Sequence, residues 1–280
     1  PTPTATGVPL GVQYAGDAEP FSIGGATLQA VAIAADTKDR EVDALVIDPS
    51  SSDVAWGEMT EAIAVRTALG IKFNGFWDGV ACDFDGTDLQ MILLARAPDQ
   101  TQYARLDKDG VIKKSPTLLF TGQLQEVDAV VQGLSIYMAA TQVTGETVRF
   151  AKLNLTGDVE TTLITVTTGT DVEWARIATD SNKVSYIIYE DNPGGGGADV
   201  IKIVAVDDSG GLLLGPTTIF TSDTTRQVHP VKLFLNKSNR LEVFIAREEP
   251  GGTETLMYGR LTVTFAVLFD FTPVFAIATV

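Results

Sequence analysis

Residues 123–169 hold four short runs of β-branched, apolar and aromatic residues, separated by Gly, Asp, Asn and Thr turns. The runs cover 127–131, 134–140, 148–153 and 161–167. Runs this short, rich in Val, Ile, Thr and Tyr and bounded by turn residues, read as β-strands. The short gaps between them make antiparallel hairpins the natural connection. The stretch is therefore a four-stranded meander, and the pattern returns along most of the chain.

Leu89, Leu134, Val184 and Leu241 take the same place after a polar turn, at spacings of 45, 50 and 57 residues, and Val42 extends the series backwards by 47. A Thr- or Pro-led apolar strand closes each unit: SPTLLFTG, TTLITVTTG, GPTTIFTSD and TPVFAIATV. The turn before it recurs as DKDG, LTGD and DDSGG, whose Gly and Asp tolerate positive φ. Leu134, as a second-strand core residue, is expected to cost about 2–5 kcal/mol on truncation to Ala.

Four strands in every 45–57 residues is the pattern of propeller blades. One such sheet cannot bury both faces, whereas stacking blades around an axis does so and removes most exposed edges. The fold expected is all-β, a propeller of about five four-stranded blades. The units run over 27–72, 73–122, 123–169, 170–223 and 224–280 in a single domain. A pair of β-sandwiches or an open β-solenoid are the alternatives. Residues 1–26 read as a linker, with a short strand at 12–14, and PFSIG at 20–24 as a strand docking on the last unit to close the ring. Residues 53–69 fit two strands or a helix capped by Ser52 or Asp53, and the repeat favours strands. The insertion EDNPGGGGAD at 190–199 reads as a mobile surface loop, and REEPGGTET at 247–255 as a shorter version.

The formal charge is −16, from 20 Lys and Arg against 36 Asp and Glu. Such a surface repels nucleic-acid backbones and disfavours anionic membranes. Cys82 is the only cysteine and His229 the only histidine, so there is no intrachain disulfide, Cys-based zinc site or His cluster. The apolar stretch 261–280, broken by Asp270 and Pro273, reads as two core strands rather than a membrane span. The first residues resemble a linker or a processed end.

Asp83, Asp85 and Asp88 in CDFDGTD have the acidic spacing of a weak calcium loop, against the alternative of a plain hairpin turn. The order DFDG resembles the FG-GAP propeller repeat, whose loops bind calcium; that family's pattern continues with a second Asp-Gly pair, which this chain lacks. Trp56, Trp77 and Trp174 fit either blade packing or sugar platforms. The triplets at 154–156 and 236–238 match the N-glycosylation acceptor pattern.

The first strand of each blade lines a propeller axis, which brings Gln29, Asp78, Glu126 with Asp128, Glu173 and His229 to one mouth. Several carboxylates facing one narrow space raise each other's pKa. Five-bladed propeller glycosidases use such a set: a nucleophile or base, a general acid, and a carboxylate that tunes the acid. For an enzyme, Asp78 and Glu173 are the working pair and Asp128 the modulator; otherwise the set is a solvated acidic rim. The function expected is a non-enzymatic structural or binding module, extracellular or in a bacteriophage virion, with other protein chains or carbohydrate as partners and no cofactor. The alternatives are a five-bladed propeller glycoside hydrolase and a propeller lectin.

Overall fold

The computed structural model describes the backbone of residues 12–13, 20–23, 26–36, 41–48, 53–59, 65–73, 77–96, 99–107, 111–142, 146–192, 197–223, 227–249 and 253–277. Side chains are described within these segments from 81 to 274, except at positions 84, 95, 96 and 253. The chain divides into two compact units, Pro1–Gly122 and Gln123–Val280.

In the first unit, β1 (Val12–Gln13) and β2 (Pro20–Ile23) both pair with β3 (Ala26–Asp36). The sheet continues through β4 (Glu41–Asp48), β5 (Asp53–Met59) and β6 (Val65–Phe73). The PFSI strand thus forms a local hairpin with β3, where ring closure on the last unit was expected. Residues 53–59 and 65–73 are strands, which settles the helix alternative. The second sheet holds β7 (Trp77–Phe84), β8 (Asp88–Arg96), β9 (Asp99–Asp107) and β10 (Ile112–Thr121).

The second unit has three sheets. They are β11 (Glu126–Gln132), β12 (Ser135–Gln142), β13 (Thr147–Asn154) and β14 (Val159–Thr168); β15 (Val172–Thr179), β16 (Ser185–Asp191), β17 (Val200–Val206) and β18 (Leu212–Thr221); and β19 (Val228–Leu235), β20 (Arg240–Glu249), β21 (Thr253–Thr262) and β22 (Val267–Ile277). Each is an antiparallel meander in chain order. A β-sandwich pair would need fewer sheets, each built from strands distant in sequence.

Alternation along β16 shows how the unit packs. Ile187 and Tyr189 join Tyr137, Ala139 and Phe150 of the third sheet, while Tyr186 and Ile188 join Leu241, Val243 and Ile245 of the fifth. A strand buried on both faces needs no polar alternation, and every residue of SYIIYED is buried. Gly210 marks a close approach between the third and fourth sheets. A Cβ there would stand 2.1 Å from Cδ1 of Ile164 and 2.8 Å from Cδ1 of Phe150.

The closing strands β10, β14, β18 and β22 are the outer edges of their sheets. Their pairing is broken by register shifts, and Pro116, Pro216 and Pro273 lie in them. Both features suit edge strands, where a missing N–H costs no ladder bond and bulges blunt edge-to-edge pairing.

Five hairpins share one loop. A side-chain oxygen of Asn154, Asp180, Asp207, Asn236 or Thr262 accepts the N–H groups two and four residues on. The residue three positions on has positive φ: Gly157, Lys183, Gly210, Asn239 and Phe265. The Asp and Asn turns in the sequence are thus Asx turns closed by a left-handed residue. The same loops absorb both glycosylation triplets, since the amide nitrogen of Asn154 donates to Asp158 and that of Asn236 to Glu242.

Leu134 departs from the expectation. It is 80% exposed, in the tight turn before β12, and Ile136 is the buried residue. Here Gln132 pairs with Ser135, so the turn is Gly133-Leu134 alone, whereas Thr179 pairs with Ser185 and Leu235 with Leu241 across longer loops. Leu89 and Leu241 lie inside β8 and β20, and Val184 immediately precedes β16.

Candidate functional site

The second unit brings together the leading ends of its first strands. β15 lies against β11 on one side and β19 on the other. Glu126 opens β11, Glu173 is second in β15 and His229 second in β19. Asp78 lies on β7 of the first unit. The side chains of Gln29, Asp78, Trp56 and Trp77 lie outside the described residues.

Asp128 is fully buried and fastens three strands. Its Oδ2 accepts the Ile177 N–H of β15 at 2.9 Å, and its Oδ1 accepts the Ala129 N–H at 3.0 Å. The Lys232 ammonium of β19 stands 3.6 Å from Oδ1. The carboxylate is held by fixed donors and a cation, the surroundings in which a buried charge is tolerated.

Around it runs an aromatic and cationic stack. Trp174 lies on His229 with ring centroids 4.9 Å apart and planes 29° apart. The Arg176 guanidinium sits 5.7 Å from the Trp174 ring centre, and its nitrogens donate to the Val231 and Ala175 carbonyls. Trp174 has φ 56° and falls in a register break of β15, where Glu173 pairs with Glu190 but Arg176 with Ile188. A bulge re-aims side chains, and left-handed backbone at a bulky residue is kept only where the surroundings enforce it.

The electrostatics are lopsided. Burial, with Glu173 adding and Arg176 opposing, pushes the Glu126 carboxyl up to about 7. Burial and then Asp171 raise Glu173, against a hydrogen bond from Gln125 Nε2 at 3.4 Å. Burial, then Arg176, lowers His229 to about 4, so the imidazole is neutral at physiological pH. Glu190, opposite Glu173 in the ladder, is driven up to about 8 by burial and by Asp199, Glu173 and Asp171. Asp199 is raised by burial, with the Val228 N–H opposing and Asp171 adding. For Asp191 burial works upward, but Lys202 at 2.5 Å and the Thr170 N–H hold it below its usual range.

The sequence places Glu190 and Asp199 at the ends of a mobile loop. Glu190 and Asp191 instead belong to β16, and Glu190, Asp191 and Asp199 are buried. Residues 193–196 lie outside the described residues. The four glycines of 190–199 mask a signal in the sequence: Glu190 and Asp191 continue the apolar run SYIIY.

At the weak calcium candidate, Asp85 Oδ1 accepts the Thr87 and Asp88 N–H groups at 2.8 Å, and its Oδ2 accepts Gln90 Nε2 at 2.7 Å. Asp88 faces Arg105 at 3.4 Å, and Asp83 lies on β7. Among the described residues, no group of three or more His, Cys, Asp or Glu is placed to hold a metal ion. Nor is any helix among them long and apolar enough to cross a membrane.

No protein-family model and no curated protein matches the sequence. Solved structures do match. The exo-β-1,3-galactanase of Phanerochaete chrysosporium, solved with β-1,3-galactotriose, has a TM-score of 0.55 at 12% identity over 92% of this chain. The AofleA protein of Arthrobotrys oligospora has a TM-score of 0.56 at 12% identity, over 92% of this chain and 77% of its own. The α-L-arabinanase of Penicillium chrysogenum, complexed with arabinobiose, has a TM-score of 0.53 at 9% identity over 69% of this chain. The present chain spans 66% of the galactanase and 65% of the arabinanase, just under two thirds of each. The fold is an all-β propeller of the five-bladed kind found in family-43 glycoside hydrolases.

These neighbours correct one expectation. The expectation of a non-enzymatic virion module rests on a Thr-, Ala-, Val- and Gly-rich composition, the lack of disulfides and a processed-looking N-terminus, traits that carry no chemistry of their own. Structures sharing the fold include enzymes named for cleaving glycosides, which sets the virion reading aside.

Proposed function

We propose that this protein acts on carbohydrate as a glycoside hydrolase, at the mouth formed by the leading ends of β11, β15 and β19. The observation that carries the reading is the placing of two carboxyl residues, Glu126 and Glu173, at the leading ends of the adjacent strands β11 and β15, where burial raises Glu126. Glycoside cleavage needs one carboxyl group that still holds its proton near neutrality and one that is ionised. Burial makes Glu126 the proton donor to the leaving oxygen. Glu173, at the leading end of the adjacent strand β15, is assigned the part of the second carboxyl. Asp128 acts as modulator by fixing β11 against β15 and β19, and so the spacing of the carboxyl groups. Trp174 and His229 offer a ring face beside them.

The test is hydrolysis of a broad panel of α- and β-linked oligosaccharides by the full chain, before and after Glu126→Gln and Glu173→Gln. Loss of an acid–base group lowers kcat by about 10²–10⁴-fold. Turnover that falls this far in both variants supports the assignment; turnover unchanged by either, or none on the panel, overturns it. The Trp174–His229 stack also favours a second reading, a lectin. Sugar binding without turnover, abolished by Trp174→Ala, would select that one.

A further inference from the structure

In the second unit, the hairpins that join first to second and third to fourth strands lie at the end opposite the mouth. Side chains tie this end together. Asp208 accepts the Tyr137 hydroxyl at 2.6 Å and the Lys152 ammonium at 2.8 Å across the third and fourth sheets, and the Tyr186 ring meets Phe265 edge-on between the fourth and fifth. The loops are the short hydrogen-bonded turns already described, so the surface is fixed. It is also apolar. Val159 opens β14, Leu212 and Leu213 open β18, and Val267 and Leu268 open β22, all exposed. Leu134, Phe234 and Phe269 are exposed at the same end. Among the described residues of the second unit, Val274 is the one exposed large hydrophobic side chain that lies elsewhere. Strand propensity does not require this. Further along β14 and β18 the exposed positions include Thr162, Thr165, Thr168, Thr217, Thr218 and Thr221, which favour strands without adding a large apolar side chain. Single exposed apolar residues are ordinary, but their collection at one end of a rigid body marks an interaction surface.

Charge decides what can cover it. The chain carries −16, so two copies repel each other over most approaches. In the second unit the charge is uneven. Glu126, Glu146, Asp171, Glu173, Glu190 and Asp199 gather at the mouth end. At the hairpin end, the loops between paired strand ends hold Asp158, Asp180, Asp207 and Asp208 against Lys183, Lys237 and Arg240, a balance of 3 − 4 = −1. We infer that this end is covered by the same end of a second copy of this chain, in a two-fold dimer that leaves both mouths open. A two-fold contact is self-complementary, so one apolar patch serves both partners, and a mixed set of Asp, Lys and Arg residues can pair across it. Meeting here keeps the acidic mouths apart, where salt screens the repulsion that is left. A nucleic acid or an anionic membrane needs a basic face, and this end is close to neutral.

The experiment is sedimentation equilibrium of the full chain over a range of protein and salt concentrations, beside the double variant Leu213→Glu with Leu268→Glu. Both leucines are exposed, so the variant should keep the parent's fold, which its urea midpoint checks. The expected result is a monomer–dimer equilibrium that stops at two copies. It should tighten as salt rises, because screening removes repulsion while apolar contact persists. In the double variant four new carboxylates enter the contact, two from each copy, and dimerisation should weaken about tenfold or more. The salt response of the parent chain does not depend on how any variant folds. A parent chain that stays monomeric at every concentration overturns the inference, as does a dimer that the double variant leaves intact. Association that runs past two copies into open chains overturns it too, since a two-fold contact closes. So does a monomer that floats with neutral phosphatidylcholine vesicles, which would assign this end to a lipid surface.

Discussion

Trp174 stacks on His229 at 4.9 Å from a backbone φ of 56°, so the most strained tryptophan position described in the chain is also an aromatic contact between the fourth and fifth sheets. A left-handed backbone costs a residue with a Cβ about 1–2 kcal/mol. Glycine escapes that cost. Trp174→Gly is therefore expected to be more stable than Trp174→Ala by about 1 kcal/mol, the reverse of the usual order in a strand. Urea unfolding of the two variants checks it; Ala equal to or above Gly would show that the position is not strained.

Lys183 occupies the left-handed position of the loop between β15 and β16, at φ 65°. Its ammonium has a 3.8 Å contact with Asp208, whose nearer partner is Lys152 at 2.8 Å. Lys183→Gly is expected to raise stability by about 1 kcal/mol. A shift of the denaturation midpoint to lower urea would contradict this.

Asp128 makes the opposite case. Removing its carboxylate strands the Ile177 N–H and leaves Lys232 facing an apolar gap. Breaking a buried charge pair from one side costs about 3–5 kcal/mol. Asp128→Ala should lose stability on this scale. Asp128→Asn, which keeps an acceptor for Ile177, should lose less and change the acid limb of any pH–activity profile. Equal stability of Asp128→Ala and the parent chain would refute the fastening role.

The pH dependence of stability follows from opposed shifts. Glu190 rises from 4.5 to about 8 and Glu126 from 4.5 to about 7, so the folded chain binds protons more tightly than the unfolded chain. Their contribution is full below 4.5 and is lost as pH climbs through the folded values. His229 falls from 6.5 to about 4, so its contribution is lost as pH drops through that window. Between pH 6.5 and 8 the glutamates dominate, and stability should decline by about 1–2 kcal/mol. Glu190→Gln should flatten most of this decline. A flat wild-type profile over that interval would refute it.

The fold was legible because hairpin chemistry is local. Asp107, Asn154 and Asp207 announce their turns through side chains that reach only a few residues. Leu134 misled for the same reason: an apolar residue beside Gly133 looks like the start of a strand, and only the pairing of Gln132 with Ser135 shows that it caps a two-residue turn. The leading ends at Glu126, Glu173 and His229 could be aligned from the repeat. The burial of Glu190, the bulge at Trp174 and the reach of Asp128 to Ile177 depend on residues 17 to 55 positions away or on a backbone twist, and leave no local trace.

In the second to fifth sheets, every ladder joins strands that are neighbours in sequence. No sheet among these borrows a strand from the next, and cohesion between sheets in the second unit falls to side chains such as Asp128, Tyr137 and Tyr186. A gene built this way can gain or lose a whole unit by in-frame duplication or deletion without breaking any ladder. Selection then acts on two faces of the newcomer, and the mouth need only keep its leading residues in place while the number of units drifts.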